Sequence, residues 1–140
     1  MTGKKDLMQI IRSLDPELDP KGYVYCTVAH DSKQLPEESW ATILEEEGIT
    51  LILTKGEADA NGLKYEGLWR RITCRVHSSL DAVGLTALIS SRLAQQGIPA
   101  NIVAGYHHDH VFVPENRSEN ALHIMENLGY GEGSSGDPCP

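Results

Sequence analysis

The chain has 140 residues, of which 40% are hydrophobic and 23% charged, and its formal net charge at pH 7 is -8. This length predicts one compact domain or two small halves packed together. The acidic balance argues against a nucleic-acid-binding protein and against a polybasic membrane anchor. No apolar run approaches the roughly 18 residues that span a bilayer, and the amino-terminal stretch is too polar for a secretory signal. We therefore expect a cytoplasmic protein with no nucleic-acid or membrane partner.

The first half of the chain predicts a short helix, a strand and a strand hairpin. Four apolar residues between positions 7 and 14 recur at helical spacing, and two Asp-Pro pairs follow them. Residues 22–29 are rich in β-forming side chains. Residues 40–44 fit either one helical turn or a strand, and the punctuating Gly48 before ITLIL favours a strand hairpin. We expect 55–64 to be a polar loop that separates two halves.

The second half begins with a strand at 65–76 and a helix whose two ends are marked in the sequence. Ser78 and Asp81 match a capping box, so we expect the helix to start there. Gly97 closes the helix. Apolar residues cover a wide part of its surface, so it should pack against its sheet and also against a neighbouring helix, half or subunit. The central stripe of this surface consists of Leu80, Val83, Ala87 and Ala94.

Two short strands and a last helix complete this half. The strands, at 100–104 and 111–113, flank a turn, and Ser118 caps a helix that ends at Gly129. The order β-α-β-β-α is that of a ferredoxin-like unit that lacks its last strand, which the other half could supply. The expected fold class is therefore α+β, with two packed ferredoxin-like halves and antiparallel sheets. The expected divisions are a degenerate half at 1–62, a complete one at 63–129 and a disordered tail at 130–140.

The segment between the strand and the helix of the second half is the main candidate for a ligand site. Ser78, Ser79, Asp81 and Gly84 lie where a helix start collects free N–H groups and a partial positive charge, so this segment can hold a small anion. The same residues would also serve as a plain helix cap. Asn101 is a polar residue in an otherwise apolar strand, and it could face a ligand or satisfy a loop.

The run His107-His108-Asp109-His110 has two interpretations. On an extended strand His108 and His110 share a face, and with a third ligand they could hold zinc. The same residues suit a hairpin turn in which Asp109 bonds its own backbone. The chain contains no P-loop, no GxSxG elbow and no HExxH or GxGxxG motif. We expect a protein that is not an enzyme and that carries no cofactor and no metal.

Three segments of the chain resemble the small bacterial-type proteins of tandem ACT-like domains: EEEGITLIL, HSSLDAVGLTALIS and GIPANIVAGYHHDHVFVP. The resemblance runs from Leu7 to Leu128, and arginine-sensing ACT proteins are more distantly similar. It implies a ferredoxin-like fold. It also implies a site for an amino acid or another small ligand at a domain interface, near the segment that joins the first strand to the first helix. The Asp-x-Pro-Gly pattern typical of that segment is Asp81-Ala82-Val83-Gly84 in this chain.

These observations together favour a non-enzymatic protein that binds or senses a small molecule, an amino acid above all. Such a protein would act through a regulated partner or through a change in oligomeric state, such as a homodimer. The alternatives are a structural interaction module without a ligand and a metal-binding protein that uses residues 107–110. The ligand-binding residues are expected to be Ser78, Ser79, Leu80, Asp81, Ala82, Val83, Gly84, Asn101, Ile102 and Val103.

Overall fold

The structure consists of six strands and four short helices in the described part of the chain. The computed structural model describes residues 6–33, 35–76 and 83–130. Its helices are α1 (Leu7–Arg12), α2 (Lys55–Ala60), α3 (Leu85–Gln95) and α4 (Ser118–Glu126), with short 3-10 turns at Glu115–Arg117 and Leu128–Tyr130. Its strands are β1 (Pro16–Val28), β2 (Ala41–Leu44), β3 (Ile49–Thr54), β4 (Trp69–Cys74), β5 (Asn101–Ala104) and β6 (Asp109–Pro114). Within this part of the chain, each helix is too short or too polar to cross a membrane.

The six strands of the described residues form one antiparallel sheet with the order β2-β3-β1-β4-β6-β5. Each half contributes three strands in the same order, and the first strands of the two halves, β1 and β4, pair at the centre. A complete ferredoxin-like unit carries one more strand after its second helix. Here the first strand of the opposite half extends each three-stranded unit. The structure confirms the α+β, ferredoxin-like class predicted from the sequence.

The hairpins β2–β3 and β5–β6 are structurally equivalent. Ala41 pairs with Ile52 in the first hairpin, and the equivalent pair in the second hairpin, Asn101 and Phe112, lies 60 positions further along the chain. The two connecting turns are closed by the same kind of hydrogen bond. The Glu45 N–H donates to the carbonyl of Gly48 at 3.0 Å, and the Gly105 N–H donates to the carbonyl of His108 at 2.9 Å. The burial pattern along β3 also matches that along β6. The two halves therefore repeat one design that their sequences do not display.

Two elements of the first half differ from the prediction. Residues 55–64 were expected to be a loop, but they begin with α2, whose N-cap Thr54 accepts a hydrogen bond from the Glu57 N–H at 3.2 Å. A helix with one buried residue, Ala58, leaves no apolar period to detect. β1 begins at Pro16 instead of Gly22, and its register shifts between Leu18 and Gly22. That irregularity accommodates a proline inside the strand.

The second half follows the predicted order, with different bounds. β4 is shorter than the predicted strand, and α3 begins at Leu85, not at Ser78. The N-cap is Gly84, whose φ of 104° favours glycine, and its carbonyl accepts the Leu88 N–H at 2.9 Å. The C-terminus is as predicted: Gly97 has a φ of 71°. The Ile98 N–H then donates to the Leu93 carbonyl at 3.0 Å, which completes a Schellman motif.

The described helices pack on one face of the sheet and divide its core in two. α1, α3 and α4 cover β4 and β6, with Ile89 fully buried between them. α2 covers β1 and β3 through Ala58. A third cluster of buried residues, Tyr23, Ile52 and Phe112, lies on the opposite face and receives no residue from these helices. The sheet is therefore buried on both faces.

Candidate functional site

The predicted ligand-binding residues of the strand-to-helix segment are described in part. Val83 is 82% exposed, so it does not belong to the apolar stripe of α3. Gly84 caps α3 and lies against Leu7, since a Cβ placed on it would be 3.2 Å from the Leu7 Cδ2. The remaining members lie outside the described residues: Ser78, Ser79, Leu80, Asp81 and Ala82.

The three predicted residues of β5 lie on the outer edge of the sheet and face two ways. Ile102 packs against the core under α3 and α4, whereas Val103 packs against the cluster on the opposite face. Asn101 shares the face of Val103. Asn101 lies at one end of β5, in register with Phe112, whereas Cys74, the last residue of β4, is in register with Ala104 at the other end of β5.

Asn101 instead meets the first half of the chain. Its side chain is the polar neighbour of the Tyr25 hydroxyl, which is buried. Burial raises the pKa of Tyr25 to about 12, and the interaction with Asn101 acts in the opposite direction. This contact links β5 of one half to β1 of the other.

The helix-free face of the sheet holds an aromatic cluster, which sequence reasoning missed. Phe112 is fully buried, and the rings of Tyr23, Tyr25 and Trp40 meet it edge-on at centroid distances of 5.7, 5.9 and 5.1 Å. The backbone N–H of Trp40 donates to the backbone carbonyl of Ile52 in β3. Trp40 directly precedes β2 and Phe112 belongs to β6, so the contact between their rings joins the two halves of the chain across this face.

Arg71 of β4 carries the charge inside this cluster. Its Nη2 lies 2.6 Å from the Asp19 Oδ2, and its guanidinium carbon lies 5.4 Å from the ring centres of both Tyr23 and Trp40. Its Nη1 donates to the Thr73 hydroxyl at 2.6 Å. The positive charge is therefore held by one carboxylate, two aromatic faces and a hydroxyl.

His110 completes the polar part of the cluster. Its Nδ1 lies 2.9 Å from the Thr73 Oγ1, and its ring contacts Trp40 at 4.8 Å. Burial, and then the nearby Arg71, lower the pKa of His110 to about 4. The imidazole is therefore neutral at pH 7. These bonds join the two halves of the chain. Two polar atoms of the cluster, the Arg71 Nε and the Tyr25 hydroxyl oxygen, are buried without a hydrogen-bond partner in the described part of the chain.

The histidine run of the second hairpin is not gathered around a common point. His110 bonds Thr73, and His107 packs edge-on against Tyr106 at 5.1 Å. Across residues 6–33, 35–76 and 83–130, no three His, Cys, Asp or Glu side chains lie close enough to hold a metal ion.

A groove of about 740 Å³ opens between the second part of β1 and the segment 63–66 that leads to β4. We call it the inter-half groove, because the segment joins the two halves. The Leu63 N–H donates to the Ala58 carbonyl at 2.9 Å, and the Tyr65 hydroxyl donates to Asp59 at 2.7 Å. These bonds tie the segment to α2. The residues that line the groove are Tyr25, Thr27, Leu63, Lys64, Tyr65 and Glu66.

The sheet has the same strand order on either side of its centre, the two hairpins are equivalent, and the described helices lie on one face. These features define a tandem ferredoxin-like α+β protein. Two family models, each described as an ACT domain, match the sequence, one over residues 2–70 and the other over 65–127. The chain belongs to the ACT-domain family and carries two ACT units in tandem. No functionally curated protein matches it.

Solved structures agree with this assignment. A Vibrio cholerae protein of unknown function, described as a possible transport protein, is 42% identical; the match covers 91% of this chain and 99% of that one, with a TM-score of 0.78. The regulatory subunit of aspartate kinase from Thermus flavus has a TM-score of 0.59 at 11% identity, over 81% and 95% of the two chains. Escherichia coli aspartokinase III, in complex with aspartate and ADP, has a TM-score of 0.58 at 12% identity, over 84% and 33%. The last two show the shared fold alone.

Proposed function

We propose that this chain is a non-catalytic regulatory protein that binds an amino acid and passes the binding event to a partner or to a second copy of itself. The observation that carries the proposal is the pairing of two ACT units in one sheet, because ACT domains commonly bind amino acids in regulation. We take the units as residues 1–62 and 63–129, followed by a tail. A shared sheet lets a ligand on one unit change the free energy of the other.

The absence of catalysis in this proposal is supported by the chemistry of the aromatic cluster. Asp19 and Arg71 neutralise each other, and His110 bonds Thr73. A general acid or base needs access to substrate and a pKa near the working pH. His110, with a pKa of about 4, lacks the second property.

For the ligand we propose the segment 78–84 and the strand residues 101–103. The amino end of α3, an 11-residue helix that begins after Gly84, would attract the carboxylate of an amino acid. Asn101 would act from a distance, through its contact with Tyr25. Aspartate kinases, one of which is described with bound aspartate, share the fold, and this supports amino acids as the first class to test.

The test is a thermal-shift series with each of the twenty L-amino acids at millimolar concentration, followed by titration calorimetry on every amino acid that raises Tm. A ligand present at 100 times its Kd stabilises the folded state by about 2.7 kcal/mol. Ser79→Ala should weaken the binding. Ser91→Ala, the same change on an exposed position of α3, should not. If no amino acid raises Tm, the proposed function is wrong.

A structural interaction module is the second candidate function, and the edge strand β2 favours it. Leu44 is 76% exposed and Ile43 45% exposed on an outer strand of the sheet. An apolar, unpaired strand edge is a template for pairing with another chain. Light scattering on the wild type and on Leu44→Lys tests this candidate. A dimer that becomes monomeric, together with a flat amino-acid screen, would favour the module over the sensor.

A further inference from the structure

We infer that the outer edge of β2 is a docking site for a basic segment of another protein, which pairs with β2 as an additional strand. The inference rests on the proposed function, in which the binding event passes to a partner, and it names the chemistry of that partner. Three features carry it: outward-facing backbone groups on β2, exposed apolar side chains beside them, and carboxylates at both ends of the strand.

The backbone of β2 has hydrogen-bonding groups to offer. β2 is an outer strand of the described sheet and pairs on its inner side with β3. Glu45 and Gly48 donate to each other's carbonyls at 3.0 and 3.3 Å, which makes them a hydrogen-bonded pair. Such pairs recur at every second position of an antiparallel ladder, so Ile43 bonds β3 while Thr42 and Leu44 direct their N–H and C=O groups outward. Within the described residues, no backbone hydrogen bond outside the sheet ladders reaches either of these two.

Two large apolar side chains of β2 are exposed, and the fold does not require them there. They belong to Ile43 and Leu44. The equivalent strand of the second half, β5, carries Ala104 at the position of Leu44. It carries Val103 at the position of Ile43, and Val103 packs against the buried cluster on the helix-free face. The exposed apolar surface is therefore a property of the first edge and not of the repeated design.

Carboxylates flank β2 on both sides. Residues 35–48 contain five glutamates and no lysine or arginine, and all five glutamates are exposed. None of them takes part in the ion pairs of the described residues. The equivalent stretch around β5, residues 95–108, contains no acidic residue, so the repeated design does not require this charge either. The five residues are Glu37, Glu38, Glu45, Glu46 and Glu47.

The charge decides which strand can dock. Two copies of β2 paired antiparallel would bring residues 37–38 of one copy toward residues 45–47 of the other, and like charges opposite each other destabilise a strand pair. A β-forming segment with lysine or arginine at both ends matches the edge. Its cations meet the carboxylates, its backbone bonds Thr42 and Leu44, and its side chains cover Ile43 and Leu44. The occupant is therefore a basic strand of a different protein and not a second copy.

The test uses the whole chain and a synthetic octapeptide, acetylated and amidated, with a Val-Thr-Val-Thr core between two pairs of lysines. A control peptide carries the same four lysines around a Gly-Pro-Gly-Pro core, which is a poor strand because proline lacks the N–H. Both are titrated by NMR at low ionic strength, where exposed charges are least screened. The first peptide should shift the amide signals of residues 41–44 and not those of 101–104 on the equivalent edge. The control peptide should bind much more weakly.

Two triple Glu→Gln variants separate the β2 edge from the general acidity of the chain. The first removes three charges beside β2 and should weaken binding of the first peptide about tenfold. The second removes three exposed charges of the second half and should leave the affinity unchanged. Glu45 is kept in both, because it accepts a hydrogen bond from the Thr50 hydroxyl. The first variant carries Glu37→Gln, Glu46→Gln and Glu47→Gln, and the second carries Glu115→Gln, Glu119→Gln and Glu126→Gln.

A matched pair of lysine substitutions tests the strand itself. Leu44→Lys should abolish binding of the first peptide, whereas Ala104→Lys, at the equivalent position of β5, should not. Equal affinities for the two peptides, no binding of the first one, or triple variants that bind within twofold of each other would overturn the inference. A wild type that dimerises through β2 would overturn it as well. No amino acid enters these measurements, so their failure leaves the proposed sensor standing, and a flat amino-acid screen overturns the proposed function alone.

Discussion

Arg71 and Asp19 form an ion pair across the central ladder of the sheet, with the Nη2 and Oδ2 atoms 2.6 Å apart. Arg71 belongs to β4 and Asp19 to β1, so the pair joins the two ACT units. Each side chain is 17% exposed, and the rings of Tyr23 and Trp40 lie over the guanidinium. A pair this shielded from solvent is screened little by salt.

Removing either partner should destabilise the fold, because the other charge is left shielded and unpaired. We expect Arg71→Met and Asp19→Asn each to lower the free energy of unfolding by about 1–3 kcal/mol. The double variant should lose less than the sum of the two. Urea unfolding of the four proteins in a double-mutant cycle measures this coupling. Strictly additive losses would mean that the two groups do not stabilise each other.

Phe112 should be the most sensitive position of the aromatic cluster. Its side chain is fully buried under three rings, so Phe112→Ala removes packing on every side and should cost about 3–5 kcal/mol. Val83→Ala shortens a side chain that is 82% exposed and should change stability by less than about 0.5 kcal/mol. Chemical denaturation compares the two. A small loss for Phe112→Ala would mean that the helix-free face is loosely packed.

The depressed pKa of His110 predicts a dependence of stability on pH. The pKa is about 4 in the folded protein and 6.5 as the reference for the unfolded chain, so the unfolded chain takes up the proton first. Stability should therefore fall as the pH drops from 6.5 to 4 and level off below 4. His110→Gln lacks this contribution. The difference in the free energy of unfolding, wild type minus His110→Gln, should therefore decrease as the pH falls from 6.5 to 4.

Unfolding at several pH values measures the His110 effect. His123→Gln, which removes an exposed histidine of α4, corrects for the general loss of one imidazole. Wild type and His110→Gln that lose stability in parallel between pH 6.5 and 4 would contradict the prediction.

A pair of glycine substitutions tests the start of α3. Gly84→Ala places a side chain at a φ of 104° and 3.2 Å from the Leu7 Cδ2, so it should destabilise by about 1–2 kcal/mol. Gly56→Ala makes the same change in α2, where an added Cβ meets nothing within 4 Å. It should stabilise the protein by about 0.5 kcal/mol. Thermal unfolding distinguishes the two signs, and equal effects would mean that Gly84 is not conformationally required.

Local sequence signals account for much of the fold. The β-forming side chains of residues 49–53 and the glycine at 97 predicted a strand and a helix end that the structure contains. α2 was missed because one buried alanine makes no pattern, and the start of β1 was missed because prolines usually end strands.

The aromatic cluster could not be predicted in the same way. Asp19 and Arg71 are 52 positions apart, and they meet because β1 and β4 pair. Trp40 and Phe112 belong to different halves, and their rings meet across the helix-free face of the sheet. Neither fact follows from residue spacing. The alternation of Arg71 and Thr73 with the apolar Ile72 and Cys74 does indicate a second, partly polar face of β4, and that was the one available signal.

The central β1–β4 ladder makes the stability of each ACT unit depend on the other. Each unit borrows its fourth strand from the other, so a chain cut in the segment 63–66 would expose an unpaired edge on both fragments. The architecture repeats one unit twice, whereas we expect the whole sheet to fold as a single unit. Both halves should therefore unfold in one cooperative transition. A destabilising substitution in either half should lower the unfolding midpoint of both.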